Sequence, residues 1–167
     1  MKTAIIYKRK IYDQMVKWKR ERDGETALLI QGARRIGKST IVEDFAKREY
    51  KSYILIDFSK AKKEVMELFE DLSDINFNLM RLQIIFNTKL VERNSVIIFD
   101  EVQKQPLARQ AIKHLVADHR YDYIETGSLI SIKSNVKDII IPSEETRLDM
   151  FPMDFEEFRW ALGDTAT

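Results

Sequence analysis

Apolar residues fall in two patterns along this chain. Short apolar runs bounded by turn-forming or charged residues recur at Ala27-Leu28-Leu29-Ile30, Tyr53-Ile54-Leu55-Ile56-Asp57-Phe58, Ser95-Val96-Ile97-Ile98-Phe99 and Tyr121-Asp122-Tyr123-Ile124-Glu125-Thr126. Their length and their β-branched and aromatic content predict four buried strands. Between them the apolar positions recur at helical spacing. Ile11, Met15 and Trp18 predict a surface helix over about residues 9–22, closed by the turn Asp23-Gly24. Thr40 to Ala46 predicts an amphipathic helix after the first strand, and Ala61, Val65, Met66 and Phe69 predict one after the second. Phe77, Met80, Ile84 and Ile85 predict another, and Leu107, Ala111, Leu115 and Val116 share one side of a helix that starts beyond Pro106. These stripes are expected to be core rather than ligand pocket. Strands alternating with helices imply an α/β fold, a parallel sheet sandwiched by helices with ligands at the carboxyl ends of its strands.

One such strand end carries the most specific chemistry. The first run leads into Gly32-Ala33-Arg34-Arg35-Ile36-Gly37-Lys38-Ser39-Thr40, which satisfies the phosphate-loop pattern G-x-x-x-x-G-K-[ST] between a strand and a helix. Backbone N–H groups, the Lys38 ammonium and a helix N-terminus then converge on a space the size of a phosphate, and the Ser39 hydroxyl is placed to hold Mg²⁺. Two of the five glycines in the chain are used in this loop. A nucleoside triphosphate is the ligand that the pattern predicts.

A second strand end supports the first. The run Val96 to Phe99 passes directly into Asp100-Glu101. An acid at the end of such a strand, about 60 residues after a phosphate loop, is the Walker B arrangement: Asp100 holds Mg²⁺, through water, opposite Ser39. Glu101 is then placed to orient or deprotonate an attacking water. At the end of the fourth run, Thr126-Gly127-Ser128 puts small hydroxyl residues where a γ-phosphate would be sensed, with Thr126 and Ser128 as the candidates. Gly127-Ser128 reads equally well as a simple chain turn, and Gln103 carries the same ambiguity.

Composition narrows the remaining classes. With 167 residues and 44% hydrophobic content the chain fits one domain with one sizeable core. Its 28 basic and 27 acidic side chains leave a net charge of +1, so no overall field selects nucleic acid or a membrane surface. A basic face at Lys17, Lys19, Arg20 and Arg22 is interleaved with Glu21 and Asp23, which favours a solvated helix. The absence of cysteine excludes disulfides and thiolate metal sites. Neither a secretory signal nor a run of about 18 apolar residues is present, so the expectation is a cytoplasmic protein with no membrane partner.

The phosphate loop with Arg34-Arg35, the segment Ile98-Phe99-Asp100-Glu101-Val102-Gln103, Thr126-Gly127-Ser128, Arg147-Leu148 and the tail Phe151-Pro152-Met153-Asp154-Phe155-Glu156-Glu157-Phe158 together resemble the prokaryotic AAA-type ATPases that carry a C-terminal domain of unknown function. The resemblance implies a three-layer P-loop NTPase with a mostly parallel central sheet, helices on both faces, and an additional strand between those bearing the two Walker motifs. It makes Thr126 to Ser128 the sensor 1 position and points to ATP with Mg²⁺. It also implies that residues 1–167 are one ATPase core domain ending before a lid and a C-terminal domain. Its relatives suggest rings and hence a homo-oligomer, whereas a truncated piece is compatible with a monomer. Arg147 stands at a position the resemblance marks, with nucleotide, neighbouring subunit or structure as its alternatives.

Three functional readings follow. The first is an ATPase in which Lys38 neutralises transferring charge and Glu101 orients water. The second is a nucleotide-dependent switch or adaptor for an unidentified protein partner. The third is a nucleic-acid-associated ATPase, resting on Arg34, Arg35 and the basic first helix. The guanine-reading pattern Asn-Lys-x-Asp does not occur, which disfavours GTP.

Overall fold

The computed structural model of the chain describes residues 9–33, 36–128 and 145–163. Strands β1 (Ala27–Gly32), β2 (Ser52–Asp57), β3 (Ser95–Asp100), β4 (Asp122–Ser128) and β5 (Glu145–Asp149) form one sheet in the order β2-β3-β4-β1-β5, with every pairing parallel. The helices among the described residues are α1 (Lys10–Arg22), α2 (Lys38–Glu49), α3 (Lys63–Glu67), α4 (Ile75–Ile85), α5 (Pro106–Asp118) and α6 (Phe155–Ala161). β4 lies between β1 and β3, so an extra strand does separate the phosphate-loop strand from the one ending in Asp100.

Alternation along the strands divides the core into two layers, as the period of two requires. Ala27, Leu29, Ile97, Phe99 and Tyr123 point to one face, where they meet Val65, Phe69, Leu79, Leu82, Ile112 and Leu115 from α3, α4 and α5 and the turns beside them. Phe58, Phe69 and Phe99 stack edge to face there, with centroids 5.3 to 5.6 Å apart. Leu28, Ile30, Ile98 and Ile124 point to the other face, against Met15 and Trp18 of α1 and Ile41, Val42 and Phe45 of α2. The helix after β1 therefore covers the opposite face from the helices after β2 and β3. The chain leaves the sheet in opposite directions at those strands, which opens a crevice at the carboxyl ends of β1, β4 and β3.

Sequence periodicity located the helices more reliably than their orientation. Phe77, Met80 and Ile84, expected in the core, are 50 to 61% exposed, and α4 instead buries Asn78, Leu79 and Leu82. This helix is apolar on nearly every side, so the stripe that packs is decided by α3 and the sheet rather than by its own pattern. Leu107 is likewise exposed at the start of α5, while Ala111, Leu115 and Val116 pack as expected. β5 is a strand that periodicity did not reveal, because Glu145-Thr146-Arg147-Leu148-Asp149 has one aliphatic side chain; it forms through its ladder with β1. Among the described residues no helix is long and apolar enough to cross a membrane.

Candidate functional site

The crevice gathers the predicted strand-end residues, and backbone geometry explains why. Gly32 closes β1 where a Cβ would collide with the Met150 carbonyl just beyond β5, an approach that Met150 N–H secures by donating to the Gln31 carbonyl at 2.7 Å. Gly37 sits immediately before α2 at φ +91°, a left-handed conformation open to glycine at little cost. No side chain caps α2, in contrast with α4 and α6, which Asp74 and Asp154 cap, and the first turn of α2 contains no acid. The first N–H groups of α2, with the positive end of its dipole, are thereby left for an anion.

The side chains that follow Gly37 complete the arrangement. Lys38 is buried, and its ammonium donates to the carbonyls of Gly32 at 3.0 Å and Ala33 at 2.6 Å, lying back against the start of the loop. Ser39 Oγ donates to the Asp100 carboxylate at 2.8 and 3.0 Å, joining α2 to the end of β3 across 61 residues of sequence. Thr40 is exposed in the first turn of α2. Ala33 and Ile36 flank the loop, and Arg34 and Arg35 lie outside the described residues.

Thr126 organises the acids. Fully buried near the end of β4, its hydroxyl donates to Asp100 Oδ1 and accepts the backbone N–H of Glu101 at 3.1 Å. Ser128 ends the same strand, buried and in register with Gly32. Glu101 adopts φ 56°, ψ 51°, a left-handed conformation that costs a non-glycine residue roughly 1–2 kcal/mol. Such strain persists where neighbours over-determine it. Here the Thr126 hydroxyl holds the Glu101 backbone, and Gln103 Nε2 donates to its carboxylate at 2.5 Å. Gln103 thus acts on Glu101 rather than merely turning the chain.

Burial raises the pKa of Asp100; hydrogen bonds from Thr126 and Ser39 oppose the rise, and the carboxylates of Asp57 and Glu101 add to it. Asp57 ends β2 directly beside Asp100 in register. No group of three or more His, Cys, Asp or Glu side chains converges on a metal position among the described residues. Mg²⁺ needs no such cage, since it typically takes one or two protein oxygens and completes its shell with water and phosphate. The Ser39 hydroxyl and the Asp100 carboxylate, already in contact and crowded by two further acids, fit that donor set.

A family model of the AAA domain matches residues 24–159, from the turn before β1 into α6. The chain belongs to the AAA domain family. A comparison with curated proteins returns no match. Within this AAA domain, sequence reasoning quoted Asp57 in a strand and Glu157 in the tail but gave neither a role, and it gave none to Met150 or to Arg9, which precedes the matched region. Arg9 is buried and joins the phosphate loop to α6 through Glu157. Single residues so far apart in the chain leave no spacing signal. Arg147, on β5 beside Leu29, is exposed, and its charge acts on Glu125. In the basic stretch of α1, Lys19 lies 4.8 Å from the centre of the Tyr50 ring, a packing role for one of its charges.

Proposed function

We propose that this AAA domain binds ATP with Mg²⁺ and hydrolyses it, with Lys38, Ser39, Asp100, Glu101 and Thr126 as the working residues. The observation that carries the reading is the chain of contacts Ser39–Asp100–Thr126–Glu101, which links α2 to two neighbouring strand ends beside an uncapped helix N-terminus. The loop's N–H groups bind the phosphates, and Lys38 offsets charge on the transferring group. Ser39 and Asp100 would hold Mg²⁺, which would supply neutralisation of phosphate charge when bound. Glu101, fixed by Thr126 and Gln103, orients water for in-line attack. Thr126 reports on the site through Asp100 and Glu101, the groups its hydroxyl touches, and Ser128 lines the same strand end.

Titration with ATP, with and without Mg²⁺, and a phosphate-release assay test this. Lys38→Ala should abolish nucleotide binding. Glu101→Gln should bind ATP normally and hydrolyse it at least about a hundredfold more slowly, the size expected for a lost water-orienting base. Undiminished turnover in Glu101→Gln would remove that residue from the mechanism.

A further inference from the structure

Arg9 distributes its guanidinium over three parts of the fold. Nε donates to Glu157 Oε2 on α6 at 3.0 Å, one terminal nitrogen donates to the Phe151 carbonyl at 2.6 Å, and the other donates to the Ile36 carbonyl in the phosphate loop at 2.9 Å. Arg9 and Glu157 are 8% and 6% exposed, so water does little to loosen the contact. Glu157 has no slack of its own. Its Oε2 also accepts from Lys10 N–H at 2.9 Å, and its Oε1 accepts from Asp154 N–H at 3.0 Å within a capping box at the start of α6.

The Ile36 carbonyl belongs to the same peptide unit as the Gly37 N–H. In a planar trans peptide the two point in opposite directions. A guanidinium that fixes the carbonyl on its own side therefore turns the Gly37 N–H away from itself. Gly37 has no Cβ and stands in a left-handed conformation, so little within the residue resists a flip of this peptide.

We propose that Arg9, clamped by Glu157, is a positioning residue that presets the Ile36–Gly37 peptide with its N–H toward bound phosphate, so that α6 forms part of the support of the nucleotide site. This rests on the proposed function and extends it to residues that touch no nucleotide. The Phe-Pro-x-x-Phe-Glu-Glu-Phe tail thereby acquires a role at the phosphate loop, because its second glutamate is Glu157. Arg9, which precedes the matched AAA region, acquires one as well.

The alternative is a staple that merely ties the start of the chain to α6, and a control separates the two. Asp154→Ala removes the cap of α6 and the exposed Lys10–Asp154 ion pair without touching Ile36. Glu157→Gln removes the charge that orients Arg9. Arg9→Lys keeps a charge but cannot serve three acceptors with a planar fork. The affinity for ATP and the thermal midpoint should be measured for all three, together with microsecond-to-millisecond relaxation dispersion at the Gly37 amide in the nucleotide-free protein. Positioning predicts that Arg9→Lys and Glu157→Gln weaken ATP binding about tenfold beyond Asp154→Ala at comparable thermal midpoints, with a relaxation-dispersion contribution at Gly37 that Asp154→Ala lacks. Affinities that simply follow the midpoints across the three variants overturn it. If the unmodified chain binds no ATP, the proposed function fails, and Gly37 still decides: no added relaxation dispersion at its amide in Glu157→Gln relative to Asp154→Ala leaves only a staple. Should Glu157→Gln not fold, Arg9→Lys against Asp154→Ala carries the same comparison.

Discussion

Thr126 and Glu125 are neighbours on β4, yet they serve opposite sides of the sheet and opposite treatments of buried acid. On the α1–α2 side, Thr126 gives Asp100 a hydroxyl donor, Ser39 gives it a second, and both pull against the rise in pKa that burial imposes. On the α3–α5 side the Glu125 carboxyl is fully buried, and its oxygens have no donor among the described residues. Burial first, and then the neighbouring Glu145 carboxylate, hold Glu125 well above the usual carboxylate range, with Arg109 and Arg147 acting in the other direction. Glu145 is itself paired to Arg109 at 3.1 Å, with the two side chains 1% and 2% exposed. Asp100 lies at the edge of a crevice with two hydroxyl donors that favour its charged form. Glu125 is pushed toward its neutral form beside a buried ion pair. Two buried acids on neighbouring strands thus differ in whether neutral donors support the charged form.

The sharpest way to break the comparison is to remove the ion pair that supports the second region. Arg109→Met leaves Glu145 buried without its counter-charge beside Glu125, and losing one partner of a buried pair costs about 3–5 kcal/mol. Urea unfolding should show that loss, while ATP affinity in the surviving folded fraction should hardly change, because Arg109 contacts none of the nucleotide-site residues among its hydrogen bonds. An ATP-binding defect without a stability defect would mean that the two sides of β4 are not separate regions.

Thr126→Val tests the first region more gently. The side chain keeps its shape but leaves Asp100 with Ser39 as its hydroxyl donor and strands the N–H of Glu101, for about 1–3 kcal/mol of stability. With the hydroxyl gone, a donor that lowers the Asp100 pKa is lost, so the carboxylate ionises at higher pH than before. The acid limb of the Mg²⁺-dependent hydrolysis profile should move upward in pH. A profile that keeps its position while turnover falls would confine Thr126 to holding Glu101.

Legibility in the sequence followed the same division. The elements around Thr126 were readable because each lies at the end of a run whose pattern announces a strand, and because Lys38, Ser39, Asp100 and Glu101 come in contiguous motifs. Parallel strands then bring their ends together without any further signal. The elements around Glu125 were not readable. β5 has too few apolar residues to declare itself, and a glutamate inside a strand gives no hint whether it faces water, an arginine or another acid. The orientation of α4 was hidden for a related reason, since helical spacing fits both Phe77, Met80 and Ile84 and the Leu79 and Leu82 face that packs. Arg9 and Glu157 meet across 148 positions, a contact that only the completed fold creates.

The smallest expected effect concerns Glu125 itself and settles whether its proton is there. An unfolded chain releases this proton near the ordinary glutamate value of about 4.3. The folded chain, by burial and by the presence of Glu145, retains it to higher pH. Between those two values the native state binds more protons than the unfolded state, so stability must fall as pH rises. Glu125→Gln keeps a neutral side chain of the same size and cannot ionise in either state, which removes that slope. Thermal midpoints from about pH 5 to pH 8 should therefore decline more steeply for the unmodified chain than for the variant, with the gap closing or reversing toward alkaline pH. Asp100, whose pKa is also raised, contributes a slope of the same sign to both proteins and cancels in the comparison. Parallel curves would place a charged glutamate among Arg109, Glu145 and Arg147, and β4 would then carry two ionised regions rather than one.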